Sequence, residues 1–115
     1  MKHGLNLVQV LRESQKTRKQ ITKMYVKFDP FKKEIKGYCA MGALFCESDN
    51  VESGSITCGD SALFQCYGID YDSTKRYICP SCGIERELAS FIIHLNDHHE
   101  CTFEEIANVL ENVGF

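Results

Sequence analysis

The spacing of apolar and polar residues switches between a helical period and a two-residue period along this chain, and each switch marks an element. From Leu5 to about Gln20 the apolar residues Leu7, Val8 and Leu11 fall at helical spacing, followed by the polar, basic stretch Arg12–Gln20. The pattern predicts a helix docked through its first half and solvated through its second. Ile21 to Phe28 largely alternates, with Ile21, Met24, Val26 and Phe28 set against Thr22, Lys23 and Lys27. A short strand or extended segment is expected there, stopped by Asp29-Pro30. After Gly37 comes the apolar run Tyr38 to Phe45, rich in alanine and free of β-branched residues, which predicts a buried helix. Residues 47–57 are polar and turn-rich and read as a loop. A short helix is expected over Asp60–Tyr67, ending at Gly68, with Ile69–Thr74 as a connection.

In the last third, Tyr77-Ile78 predicts a short strand leading into a cysteine turn. Glu85 to about Asn96 has the clearest helical pattern, with Leu88, Phe91, Ile92 and Leu95 at i, i+3, i+4 and i+7. Thr102-Phe103-Glu104-Glu105 is a capping box opening a final helix. Ile106, Ala107, Val109 and Leu110 form its apolar face, and Gly114 stops it. The expected fold class is α+β, mostly helical, as one domain over 1–115. Within it lie a basic N-terminal helix and strand (1–36), a central helical part (37–74) and a zinc-finger-like module (75–115).

Composition agrees with a folded domain: 115 residues, 43% hydrophobic and 25% charged, exclude wholesale disorder. A chain this short buries about two-thirds of its unfolded surface, so a bound metal would add appreciably to its stability. No apolar run approaches the roughly 18 residues of a spanning helix, and none is flanked as a signal peptide would be. Seven cysteines without an export signal predict a reduced compartment, hence a cytoplasmic protein. Charge is unevenly spread. Residues 1–36 carry ten Lys/Arg against three acids, whereas 37–115 carry three against thirteen. A basic segment can serve nucleic acid or can simply pack beside an acidic body. The acidic total favours the second reading.

The residues that carry chemistry are Cys79-Pro80-Ser81-Cys82-Gly83 followed by His94, His98 and His99. Two cysteines two residues apart, before a glycine, form a tight turn that aims both thiolates at one point. A downstream histidine pair then completes a four-ligand zinc site. Eleven residues separate Cys82 from His94, and the intervening helix carries the histidines back over the turn. On a continuous helix His94 and His98 lie about 40° apart, whereas His94 and His99 lie about 140° apart. The second pair needs the helix to loosen near Asn96-Asp97, residues that favour caps and turns. Cys101 is a further candidate. Spacing therefore leaves His98, His99 and Cys101 open. Cys39, Cys46, Cys58 and Cys66 lack the two-residue knuckle and are expected as buried free thiols.

The stretches Cys79-Pro80-Ser81-Cys82-Gly83, His94-Leu95-Asn96-Asp97-His98-His99 and Thr102–Glu111 resemble a group of small phage and prophage proteins. That group carries a CPxCG turn, an HLNDxH element and an "eeIAdwLe" helix. Tyr38-Cys39-Ala40-Met41-Gly42-Ala43-Leu44 is similar to the "CALGAL" helix found with an Asn-Asp element in related phage proteins. Together the matches span roughly a third of the chain. The resemblance implies zinc held by Cys79, Cys82, His94 and His99. Where those proteins usually carry Trp, this chain carries Cys101, which stays an alternative ligand. The resemblance implies origin and metal rather than an activity.

Four available ligands favour a structural metal over a catalytic one, which keeps a position open. The His-x-Glu and Pro-Cys-x-x-Cys pattern of zinc deaminases is absent. The helix after the cysteine turn begins Glu85-Arg86-Glu87 and runs into Ile92-Ile93, too acidic and too apolar to lie on phosphates. The expectation is a non-enzymatic phage-type accessory or regulatory protein that binds a host or phage protein in the host cytoplasm. The alternative is nucleic-acid binding through Arg12, Lys16, Arg18, Lys19 and Lys23.

Overall fold

The computed structural model describes residues 3–115. Its first helix, α1 (Leu7–Thr17), is opened by Asn6, whose side chain accepts from the Gln9 amide at 2.9 Å. Leu7, Val8, Val10 and Leu11 turn inward. The helix stops short of Gln20 because Lys19 and Ile21 exchange backbone hydrogen bonds with Tyr38, at 2.9 Å each. A β-hairpin follows, β1 (Val26–Asp29) antiparallel to β2 (Glu34–Tyr38), with a bulge between Lys27 and Phe28. The extended segment expected from Ile21 thus becomes a strand only at Val26. Lys23, at a φ of 70°, bends the chain before it.

Tyr38 ends β2 rather than opening a helix. Helix α2 (Ala40–Glu47) begins two residues later, with Cys39 as its cap and Sγ accepting from the Gly42 amide at 3.3 Å. Ala40 to Phe45 are all buried, so α2 is apolar all round and lies at the centre. Residues 47–57 are not a simple loop. They contain the small hairpin β3 (Val51–Glu52) and β4 (Ser55–Ile56), turned by Ser53 and Gly54 at φ values of 50° and 82°. Helix α3 (Asp60–Cys66) stands where expected, and Gly68 follows at a φ of 70°.

Strands β5 (Tyr77–Ile78) and β6 (Glu85–Arg86) pair around the cysteine turn. Glu85 and Arg86 are therefore strand, and the helix expected from Glu85 starts at Leu88 as α4 (Leu88–Asp97). The Glu87 carboxylate caps it, accepting from the Ser90 and Ala89 amides at 2.8 and 3.2 Å. The apolar period belongs to Leu88 onward, while pairing with Tyr77 and Ile78 claims Glu85 and Arg86. Helix α5 (Phe103–Asn112) carries the capping box: Glu105 N–H donates to Thr102 Oγ1 and Thr102 N–H to Glu105 Oε1, at 3.1 and 2.9 Å. The result is a small α+β fold whose five helices make up 41% of the described residues. Leu11, Met41, Leu44, Phe45, Phe91, Leu95, Phe103, Ile106 and Leu110 share one core, with α1 packed on α2 and α5 and α4 on α2.

A polar knot crosses this core. Asn96 is fully buried, and its Oδ1 accepts from Gln20 Nε2 (2.8 Å) and from the Ala40 amide (3.0 Å). Its Nδ2 donates to the Ile21 carbonyl (2.9 Å) and to Asp97 Oδ1 (2.8 Å). Gln20 adds a bond to the Cys101 carbonyl (2.7 Å) and accepts from the Phe103 amide (3.0 Å). Four segments thus meet at two amide side chains.

Two outcomes follow from this packing. A Cβ added at Gly42 would sit 1.8 Å from the Tyr25 carbonyl oxygen. Helix propensity alone would make Gly42→Ala stabilising by about 1 kcal/mol. The backbone contact outweighs it, and urea unfolding should show a net loss of about 2 kcal/mol or more. Asn96→Ala strands the Ala40 amide, the Ile21 carbonyl and one Gln20 bond, and the same measurement should show a loss of about 3 kcal/mol.

Candidate metal centre

The cysteine turn is built by its backbone. Cys79 N–H donates to the Ile84 carbonyl at 2.9 Å and Gly83 N–H to the Cys79 carbonyl at 2.8 Å. Gly83 takes a φ of 77°, the left-handed conformation that closes the turn, with open space where a side chain would stand. Cys79 is 1% exposed and lies against the core, while Cys82 faces outward. Burial pushes the Cys79 thiol up, but the Ser81 and Cys82 backbone amides and the Cys82 and Ser81 side chains bond to it. The net result is a lowered pKa. Backbone donors aimed at a sulfur favour the thiolate, which is the metal-binding form.

Helix α4 supplies His94 and the turn after it His98 and His99, as the helix end widens step by step. The His98 amide bonds the His94 carbonyl at 2.9 Å and the His99 amide reaches the same carbonyl at 3.4 Å. The Cys101 amide then bonds Leu95 at 3.0 Å, with Glu100 left-handed at a φ of 49°. This unwinding removes the angular gap that separates His94 from His99 on an ideal helix. Their Nε2 atoms stand 3.1 Å apart, with the rings nearly perpendicular.

Cys79, Cys82, His94 and His99 each offer one donor atom, and all four donors lie within 4.8 Å of one another. Cys82 Sγ stands 3.3 Å from His94 Nε2. Around a tetrahedral zinc, with the usual metal–sulfur and metal–nitrogen bond lengths, such edges measure roughly 3.3–3.8 Å. The Cys82–His94 edge matches, and the four donors together could hold a metal ion. Among the described residues no other Cys, His, Asp and Glu side chains form such a group. His94 is 7% exposed, and burial first, then His99, Arg86 and His98, push its pKa down. Its ring therefore stays neutral, with a lone pair to give, in more acidic solution than a free imidazole.

His98 is exposed and stacks on the His94 ring, centroids 5.0 Å apart at 14°. It stands beside the four donors rather than among them. Cys101 is half-buried, its thiol pushed up by burial first and by the charges of Glu105 and Cys79. It too stays outside the group. Cys39 and Cys46, each pushed up to about 11 by burial, and Cys58 and Cys66 are free thiols distributed over the central part.

The basic residues of the N-terminal segment diverge. Arg12 bonds Glu111 and Asn108 on α5, at 3.1 and 2.9 Å. Lys16 pairs with Glu13 at 3.7 Å. Arg18 bonds Glu47 at 3.0 Å and lies over the Tyr38 ring. Lys19 and Lys23 are exposed. The two arginines therefore tie α1 to acidic neighbours. No described helix is long and apolar enough to cross a membrane. No family signature, curated protein or solved structure matches this chain.

Sequence reasoning missed the structural part of Gln20 and Asn96 in the site. The signal for Asn96 was a polar residue immediately after Leu95 within an apolar helix. For the ligands the expected result is definite. His98→Ala should still take up one cobalt(II) with the strong visible bands of a tetrahedral thiolate site, whereas His99→Ala should lose them. The opposite outcome in a cobalt titration would make His98 the ligand.

Proposed function

We propose that this protein is a non-enzymatic accessory or regulatory protein, of the phage type its motifs resemble, that works by binding a macromolecule. One zinc ion held by Cys79, Cys82, His94 and His99 shapes its C-terminal part. The observation that carries this reading is the convergence of four protein donors within 4.8 Å. Two thiolates and two neutral imidazoles complete a tetrahedral shell and neutralise the dication, so no position is left for a water or a substrate. A neutral site also suits the burial of Cys79 and His94, because an unbalanced charge there would be costly.

A structural role also answers a local need. Strands β5 and β6 are two residues each, and a lone two-stranded hairpin is marginal in water. Ile78 and Ile84, on either side of the turn, are 58% and 42% exposed and contribute little burial. Zinc would clamp this hairpin onto α4.

X-ray absorption at the zinc edge should show two sulfur and two nitrogen scatterers and no further light atom at ligand distance. A water or hydroxide in the shell would overturn the structural assignment. Removal of the metal by a chelator should lower the melting temperature by 10 °C or more, on the order of what several kcal/mol of metal-coupled folding energy imply. Cys82→Ser should reproduce the loss, and Cys58→Ser should leave the melting curve within a few degrees.

A further inference from the structure

Arg12 and Arg18 are occupied inside the molecule, which leaves the lysines that follow them. Residues 19–36 hold six lysines against two acids, Asp29 and Glu34. Lys36 pairs with Asp29 at 3.1 Å, and the other five (Lys19, Lys23, Lys27, Lys32 and Lys33) are exposed and form no ion pair among the described residues. This is a local positive surface on an otherwise acidic protein.

The β1–β2 hairpin organises it. Phe28 and Ile35 are cross-strand partners, and Phe28 packs on the β3–β4 turn, so close that a Cβ on Gly54 would sit 2.6 Å away. Lys27, its neighbour at the bulge, is exposed, whereas Phe28 is half-buried. At the tip, the Asp29 carboxylate accepts from the Phe31 and Lys32 amides at 2.9 and 3.2 Å, and Lys33 follows at a φ of 55°. The Lys32 amide first, then Lys36, hold the Asp29 carboxyl below its usual range, so the tip stays fastened at neutral pH. What this tip presents is Phe31, 96% exposed and flanked by Lys32 and Lys33. The ring takes no part in the core and leaves both its faces open to a ligand.

We infer that the outer face and tip of this hairpin bind single-stranded nucleic acid, with Lys27, Lys32 and Lys33 on phosphates and the Phe31 ring stacked on an unpaired base. Complementary charge and a free aromatic face are the two ingredients of such binding, and neither reads sequence. A duplex offers the phosphates but keeps its bases stacked inside, so it engages the lysines alone. The site differs from the stripe expected on α1, whose arginines are internally paired. It contains none of the metal ligands, so it stands or falls independently of the zinc assignment.

The test is fluorescence anisotropy with a labelled oligothymidylate, the same measurement on a duplex, and two competitors: poly-glutamate and phosphatidylserine vesicles. Phe31→Ala should weaken oligothymidylate binding about 5- to 150-fold, the range of one lost base stack. The triple variant Lys27→Ala, Lys32→Ala, Lys33→Ala should weaken it further, and its dependence on salt should flatten by about 0.7 in log–log slope per phosphate contact removed. Arg12→Ala should bind as the parent does. Every substituted residue of the hairpin is exposed, and melting curves check that each variant folds. Phe31→Ala binding at parental strength overturns the proposal. So do equal affinity for the duplex, or preference for poly-glutamate or vesicles, either of which would assign the face to an acidic protein or a membrane. Absence of metal with binding intact would sink the zinc reading and leave this one standing.

Discussion

Asn96 is the point on which this architecture turns. A buried amide side chain must spend all its hydrogen-bonding capacity, since each unmet group costs about 1–3 kcal/mol. Asn96 spends its capacity on groups far away in sequence, the Gln20 side chain, the Ile21 carbonyl and the Ala40 amide. Ala40 N–H is one of the donors that the start of α2 leaves without an intrahelical partner. Helix α4 therefore caps helix α2, supplementing the weak sulfur cap of Cys39. Gln20 carries the connection on to Cys101 and Phe103, where α5 begins. His94 and His99 stand two and three residues from Asn96. The amide that joins the helices also sets where the histidine donors lie.

The apolar core and the Cys/His cluster occupy different parts of the fold. Helix α2 is surrounded by α1 and α4, with α1 packed in turn on α5, and its burial is nearly complete; that part rests on apolar packing. The 77–86 hairpin buries Tyr77 and Cys79 and little else. It meets α4 through the Tyr77 ring, stacked on Phe91, and through the cluster of Cys79 and Cys82 with His94 and His99. The widened turn after Asp97 is the price of that arrangement, because a regular helix would aim His99 away. Backbone bonds to His94 and Leu95 keep the irregular turn satisfied.

Elements with a strong period or explicit end signals were legible in the residues. Helices α3 and α5 stand where Gly68 and the Thr102–Glu105 box put them, and the apolar sides of α1 and α4 are the ones their periodicity marked. Edges chosen by partners far along the chain were not. Tyr38 reads as the start of an alanine-rich helix, yet Lys19 and Ile21 claim its backbone for a strand. Glu85-Arg86 suits a helix locally, but Tyr77 and Ile78 pair with it. The β1–β2 hairpin was only half visible, since Glu34–Tyr38 carries three charged or glycine positions in five and no clear alternation of its own. In the site, residue spacing placed the thiols and His94. It could not choose between His98 and His99, because that choice depends on a helix end no periodicity records.

The unequal charge of the two ends is resolved by side-chain chemistry rather than by simple neutralisation. Arginine offers a planar fork that matches a carboxylate or lies over a ring, and both N-terminal arginines are used in that way. Arg12 grips Glu111, and Arg18 spans Glu47 and Tyr38. The lysines, strongly hydrated point charges on flexible stems, are left in water. Of the six lysines between 19 and 36, only Lys36 enters an ion pair among the described residues, and that pair steadies the hairpin tip. Segregation of this kind does two jobs with one positive segment. It fastens α1 to the acidic helices and loops, and it keeps a separate set of cations exposed. A chain that needed only to balance its acidic body would have no reason to leave Lys27, Lys32 and Lys33 without ion pairs among the described residues, around an exposed phenylalanine.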